Sequence, residues 1–490
     1  MAFFKGMEEA SKFLPNYSET VVADGTGRRK KRPGGDDEVE VEATTGRRRS
    51  KQVAVSPQSE SEEEFAAREE LEKLMLDGYE SSRADGDTQE AGRGGGAMDA
   101  TEKTPQQQLA DVDLHSLLIR CADAVASNYG PRAVADLLQR IRSHSSPTGD
   151  GTQRVAHCFA NGLEARLAGT GRQLYQSLVA KRASTSGVIK AYLLAMGICS
   201  FLPLHILFSC KTICDAVAGR KKLHVVDYGL REGLQWPAVL RCLASRDGGP
   251  PEVRLTGIDN PRAGFHPAQL IEETGRRLRR CARHFGVPFE FRGIAARPEA
   301  LRAEDLGIDS DEVLVVNCLF HFKTLMDESV VLDRPNPRDV VLAAIGKMRP
   351  KVFVHSVING SYCGAFFATR FRAALYDFTA LFDMLDATMP RDSERRLMVE
   401  QGVFAENAVN IIACEGADRV ERAESYRQWG ARSKRAGLRQ LPLDPDTVQM
   451  LREKVKKESH KHFVINEDDG WLLHGWKGRV LYGLSTWTSE

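Results

Sequence analysis

The residues best placed to do chemistry stand together in Leu223-His-Val-Val-Asp227, followed at once by Tyr-Gly-Leu-Arg-Glu-Gly-Leu-Gln-Trp-Pro237. An apolar run of strand length ends in an acid, a glycine turn follows, and a helix begins. Nucleotide-binding α/β sheets start this way, because glycines let backbone N–H groups and a helix N-terminus approach the ligand. The usual spacing for such a cradle is acid-x-Gly-x-Gly-x-Gly. Asp227, Gly229 and Gly233 hold three of these places, and Arg231 stands where the middle glycine belongs. A side chain there predicts an obstructed cradle. Asp259, ending the next expected strand, stands where such folds hold a ribose; a strand-end cap is the other reading. The expectation is a vestigial pocket of Asp227, Gly229, Gly233 and Asp259, with no cofactor.

No second catalytic set stands out. Asn317-Cys-Leu-Phe320 lacks the proline pair that forms a carbonyl clamp in some N-methyltransferases. His224 lies inside an apolar strand and reads as a core histidine. His321 and His355 follow expected strands without an identifiable partner and receive no role. Ten cysteines are scattered, none with CxxC spacing. Cys210-x-x-x-Cys214 stands without histidines of zinc spacing, so free buried thiols in a reducing compartment, and no metal, are expected.

These residues need a frame, and the alternation of elements supplies one. Order is expected to begin near Asp113, a good N-cap for Leu114, Leu117, Leu118, Cys121, Ala122 and Val125 at helical spacing. Helical stretches follow around Ala133–His144 and Gln153–Leu167, with a break at Ser145–Gly151. Another helical region runs from Val188 to Ala218, broken at Pro203. From Leu223 the pattern alternates: strands at Leu223–Val226, Val253–Ile258, Phe289–Arg292, Val313–Val316 and Val352–Val357. Helices are expected at Leu234–Leu243, Gln269–Phe285 and Phe366–Leu385, and late strands at Val409–Ala413 and Val480–Ser485. The pattern is βαβ with right-handed crossovers and a mostly parallel sheet. The predicted class is therefore α/β, a Rossmann-type core with an α-helical cap. Residues 109–218 form mainly the cap, and 219–490 the core with inserted cap elements.

Residues 1–108 read as an unstructured arm, rich in Gly, Ser and charge and poor in aromatics. Phe4–Pro15 is one apolar island, a nascent helix or a docking peptide. Arg28, Arg29, Lys30, Lys31 and Arg32, with Arg47–Arg49 and Lys51 behind them, fit the acidic groove of a nuclear-import receptor. Glu60–Glu80 mixes acids with Phe65, Leu71, Leu74, Met75 and Leu76. It is either an activation segment that folds on a coactivator or an amphipathic helix packed on the domain. Net charge is +1, with 42% hydrophobic residues. The core can be sizeable, and no global field favours nucleic acid or membrane. The N-terminus lacks a signal-peptide core, and no run approaches the roughly 18 apolar residues of a spanning helix; a soluble intracellular protein without membrane contact is expected.

Three surfaces are singled out. Projected at 100° per residue, the helix Gln269–Phe285 puts Ile271, Leu278, Cys281 and Phe285 on one side. Arg276, Arg279, Arg280 and Arg283 fall opposite, either a solvated face or a set of phosphate contacts. Leu114, Leu117 and Leu118 form an LxxLL pattern, suited to docking in a partner groove or to core packing. Lys454, Lys456, Lys457, His460 and Lys461 end a basic helix, and Trp471, Trp476 and Trp487 read as core anchors. Trp429 and Trp476 carry a secondary interface reading.

Several blocks in order give the chain a resemblance covering about residue 109 to the end. They are Gly149–His157 and Leu163–Gly169, Leu223–Asp227, a leucine region over 269–301, Val357–Tyr362, Phe371–Leu375, Arg419–Arg422, Trp429, and Trp471 through Trp487. The chain resembles the GRAS-domain plant transcription regulators of the SCARECROW-like branch. Leu223–Asp227 matches their VHIID block with Leu for Val and Val for Ile, and Phe4–Pro15 is similar to a signature of that branch. The resemblance implies control of transcription in the nucleus, a methyltransferase-like core with a helical cap, and a homodimer. It implies DNA, bound directly or through partner factors, with other transcription factors and coactivators as partners. The alternatives are an S-adenosylmethionine-dependent methyltransferase and a small-molecule-sensing interaction module.

Overall fold

The computed structural model describes residues 113–182, 201–262, 266–331 and 333–489. It also describes Gly187 and seven helical positions: Ala66, Ala67, Glu69, Leu71, Lys73, Met75 and Leu76. Phe4–Pro15, Arg28–Arg32, Arg47–Lys51 and Val188–Ser200 lie outside the described residues.

The first described helices build a cap. α1 (Leu114–Ala126) starts where Asp113 accepts the Ser116 N–H at 3.1 Å, which satisfies a donor the helix leaves open. α2 (Pro131–His144) begins on a proline, and α3 (Gly151–Leu167) on an Asp150–Gln153 capping box. α4 (Gly171–Arg182) and α5 (Phe201–Ala216) follow. Pro203 does not break the chain as expected; it sits within α5, in its first described turn.

The core then alternates: β1 (Lys222–Tyr228), α6 (Trp236–Ala244), β2 (Glu252–Asp259), α7 (Gln269–His284), β3 (Phe289–Ala295), β4 (Val313–Leu319), α8 (Pro337–Met348) and β5 (Val352–Ile358). α9 (Phe367–Thr388) and α10 (Glu394–Met398) return to the cap, and α10 runs through a π-helical stretch, Val399–Phe404, into α11 (Ala405–Ala413). The chain closes with α12 (Tyr426–Arg435), β6 (Leu438–Gln440), α13 (Pro445–Glu458), β7 (Phe463–Asp468), β8 (Trp471–Trp476) and β9 (Arg479–Ser489). Val409–Ala413, expected as a strand, is the second half of α11. Its β-branched run is buried within the cap as a helix, together with Ala408 and Asn410.

The strand order is β3-β2-β1-β4-β5-β9-β8-β7, with β6 beside β9. β3 through β5 are parallel, in the doubly wound arrangement whose ligands sit at the carboxyl ends of the strands. β9, β8, β7 and β6 extend the sheet antiparallel. The whole is an α/β fold with a mixed, Rossmann-like sheet and a helical cap. β1, β2, β4 and β5 are buried on both faces, so successive residues feed different cores, while β3 at the edge buries only Phe291. Val225 and Val315 join the cluster continuous with the cap, while Val226 and Val316 join a second cluster around Trp429, Trp471 and Trp487. In the cap, α3 packs on α9 and α11, and Phe159 meets Phe371 and Phe378 edge-on at 5.4 and 5.5 Å.

The helical positions between Ala66 and Leu76 fall inside the stretch expected to be an unstructured arm. There the packing alternative holds. Ala67, Leu71 and Met75 are buried in the main core, and the Cys281 thiol of α7 donates to the Met75 carbonyl.

Candidate functional site

β1 carries its acid to the centre of the sheet. Parallel register sets Asp227 beside Gly257 of β2 and Asn317 of β4. The carboxylate is fully engaged. Trp236 Nε1 donates to Oδ2 at 2.7 Å, Asn317 Nδ2 donates to Oδ1 at 3.0 Å, and Gln235 Nε2 lies at 3.5 Å. Asn317 is itself held by the Ser209 hydroxyl of α5 at 2.8 Å. Burial pushes the Asp227 carboxyl up to about 6, and the donors from Trp236 and Asn317 pull against it.

The turn that follows is closed by its own neighbours. Gly229 has φ +85°, and a Cβ there would come within 2.5 Å of the Cβ of His321, which packs directly on it. Leu230 fills the space above Gly257, where an added Cβ would meet its Cδ2 at 2.4 Å. Arg231, with φ +51°, donates its backbone N–H to Asp259 Oδ2 at 2.6 Å, and its carbonyl accepts the Thr274 hydroxyl at 2.7 Å. Its guanidinium does not fill the cradle as expected; the side chain is 62% exposed and faces Glu232 at 3.9 Å. The closure comes from backbone and from His321 and Leu230. Asp259 behaves as a cap for this loop, with its carboxyl raised to about 7 by burial against the opposing pull of the Arg231 N–H. Gly233, φ +71°, lets the chain pass Thr274 and Leu278 of α7. Thus Asp227, Gly229, Gly233 and Asp259 are brought together; both Asp227 oxygens have donors from within the protein, and Asp259 accepts the Arg231 N–H on Oδ2.

The GRAS domain family model matches residues 114–488. The chain belongs to the GRAS domain family. Scarecrow-like protein 9 of Arabidopsis thaliana is 43% identical over 100% of this chain and 70% of its own length. Scarecrow-like protein 33 of the same plant is 40% identical over 99% of this chain and 71% of its own. The crystal structure of SCL7 from Oryza sativa superposes with a TM-score of 0.64 at 28% identity, over 77% of this chain and 100% of that one. Scarecrow-like GRAS proteins are plant transcriptional regulators, and this chain is one of that family.

The VHIID-type block of this GRAS domain, Leu223–Asp227, is therefore the central strand and its acid. His224 donates to or accepts from Thr256 at 2.9 Å, a core histidine as read. His355 does not follow a strand but lies inside β5, stacked on Phe353 and edge-on to Trp429. Leu114, Leu117 and Leu118 are buried in the core, so the LxxLL pattern is packing rather than docking. Trp429 and Trp476 are equally buried, which removes their interface reading and leaves them with Trp471 and Trp487 as core anchors. On α13, Lys454 pairs with Glu458 at 2.6 Å.

Arg276, Arg279, Arg280 and Arg283 are all exposed on α7, opposite buried Ile271, Leu278 and Cys281. They surround a depression of about 390 Å³ floored by Ala282, Val287 and Phe289. Arg279 also donates to the Phe291 carbonyl at 3.1 Å.

Sequence reasoning missed an ion network that is buried except at Asp339. Arg422 pairs with Asp327 at 2.6 Å, Arg338 with Glu424 at 3.0 Å, and Arg432 with Glu424 at 2.8 Å and Asp339 at 2.9 Å. Its members come from four separate segments. The only signal was the charged block Arg419–Arg422, whose spacing does not reveal partners 84 to 95 residues away.

Proposed function

We propose that this chain is a nuclear transcriptional regulator that works as a scaffold for DNA and transcription-factor partners, with a degenerate methyltransferase-like core and no catalytic role. The observation that carries the reading is the contrast in how charge is used. The two acids of the nucleotide-type turn are consumed by Trp236, Asn317 and the Arg231 N–H. Four arginines instead face solvent on one helix. Arg276, Arg279, Arg280 and Arg283 contact DNA phosphates, Arg28–Arg32 engage an import receptor, and the domain assembles as a homodimer.

The test is retention of the full-length protein on DNA as salt is raised. The variant Arg276→Ala/Arg279→Ala/Arg280→Ala/Arg283→Ala is expected to stay folded, to lose retention, and to lower the slope of log affinity against log salt by roughly 3 to 4. Unchanged retention removes this face from the proposal and leaves recruitment through partner factors.

A further inference from the structure

Three thiols meet where α5 packs on α6. Cys210 and Cys214 stand four residues apart on α5 and so share one helix face. Cys242 comes from the facing side of α6, and the three sulfurs lie within 4.8 Å of one another. All three are buried, at 0%, 7% and 4% exposure. The Cys214 thiol donates to Cys242 Sγ at 2.9 Å, and the Cys210 thiol reaches the Ala238 carbonyl at 3.7 Å. Among the described residues no histidine or carboxylate completes the group to four ligands. The nearby Asp215 carboxylate is paired with Lys211. Hydrogen bonds from Cys210 and Cys214 draw the Cys242 thiol down, so one sulfur of the three is the readiest to ionise.

We propose that Cys210, Cys214 and Cys242 form a three-sulfur site for a trivalent thiophilic metalloid, arsenic(III) being the probe. Soft sulfur donors select soft ions. The choice among soft ions is decided by coordination number and charge. Zinc wants four ligands in a closed site, and among the described residues no fourth stands with the three sulfurs. A monovalent soft cation on three thiolates leaves a net negative complex in a dry interior, which is costly without compensating partners. A trivalent centre on three thiolates is neutral and satisfied by three. The step balances as As(OH)3 plus three S–H giving As(SR)3 plus three H2O. Three As–O bonds break, three As–S bonds form, each thiol proton leaves in a water, and nothing is oxidised.

Binding ties α5 to α6. α6 begins with Trp236, which holds Asp227, and α5 carries Ser209, which holds Asn317. The bound form is therefore expected to stiffen the centre of the fold and raise Tm, because the ligand binds the native arrangement only.

The experiment uses the reduced full-length chain with arsenite alone. Native mass spectrometry is expected to show one arsenic bound with three hydrogens lost, and thiol titration of the trapped adduct to show three fewer reactive thiols. Cys242→Ala and Cys214→Ala lose the adduct and the rise in Tm, while Cys158→Ala and Cys281→Ala keep both. Should Cys242→Ala fold poorly, Cys242→Ser with its own Tm as baseline gives the same reading. An adduct of equal strength in Cys242→Ala overturns the site. So does a wild-type chain that takes up no arsenic.

Discussion

At the end of β1 charge is turned inward, and along α7 it is turned outward. Asp227 is 3% exposed and has a donor for each carboxylate oxygen; Arg276, Arg279, Arg280 and Arg283 lie in solvent around a shallow depression. A buried ion is costly unless every lone pair is met, so it becomes architecture. An exposed cation costs little to keep and stays available for salt-sensitive contacts. The same difference separates the buried Arg338–Arg422–Asp327–Glu424 network from the arginine face. One fixes the molecule, and the other offers a surface.

The contrast predicts unequal responses to substitution. Asp227→Ala leaves the Trp236 and Asn317 donors buried without an acceptor and should lower unfolding free energy by about 2–5 kcal/mol. Chemical denaturation measures this, and a loss comparable to that of a single surface Arg→Ala breaks the distinction between the two regions.

The second effect is on pH. Burial lowers His355 to about 3, with both ring nitrogens unbonded, and lowers His224 to about 4 and His474 to about 3. The unfolded chain protonates these rings near 6.5 while the folded one does not. Their neutral burial therefore costs nothing above pH 6.5, and stability falls as pH drops from there toward 4. Asp227 and Asp259, raised to about 6 and 7, act oppositely in that window, since the folded state holds their protons longer. His355→Leu isolates one ring. Its acid limb should be shallower by about 1.4 kcal/mol per pH unit between 6.5 and 4, read from denaturation midpoints at stepped pH. An unchanged limb means His355 is not kept neutral by burial.

The smallest effect is at Arg231. Its side chain is exposed and its backbone left-handed, so Arg231→Gly relieves strain and should stabilise by about 1 kcal/mol. It leaves the N–H on Asp259 in place. A Gly variant that gains S-adenosylmethionine binding would show that the guanidinium, not the backbone and His321, closes the cradle.

What the sequence made legible was local. The apolar run into Asp227, the Asp113 cap and the arginine stripe of α7 each depend on neighbours within a few residues, where periodicity and capping rules act. The partners of Asp227 were not legible in full. Asn317 lies 90 positions away and is brought in by β4 register. His321 and Leu230 close the turn through contacts that no spacing announces. Cys242 was invisible beside Cys210 and Cys214 for the same reason. Val409–Ala413 misled because a short β-branched run suits a strand or a buried helix equally, and its continuation from Ala405 decides for the helix. The antiparallel edge from β6 to β9 was read only at β9, and it adds four strands to the five parallel ones.

Calorimetric titration of the full-length chain with S-adenosylmethionine tests the central claim most directly. With Asp227 and Asp259 both bound from within, no saturable heat is expected at micromolar protein. A one-site micromolar isotherm that Asp259→Ala abolishes without unfolding the protein would contradict it.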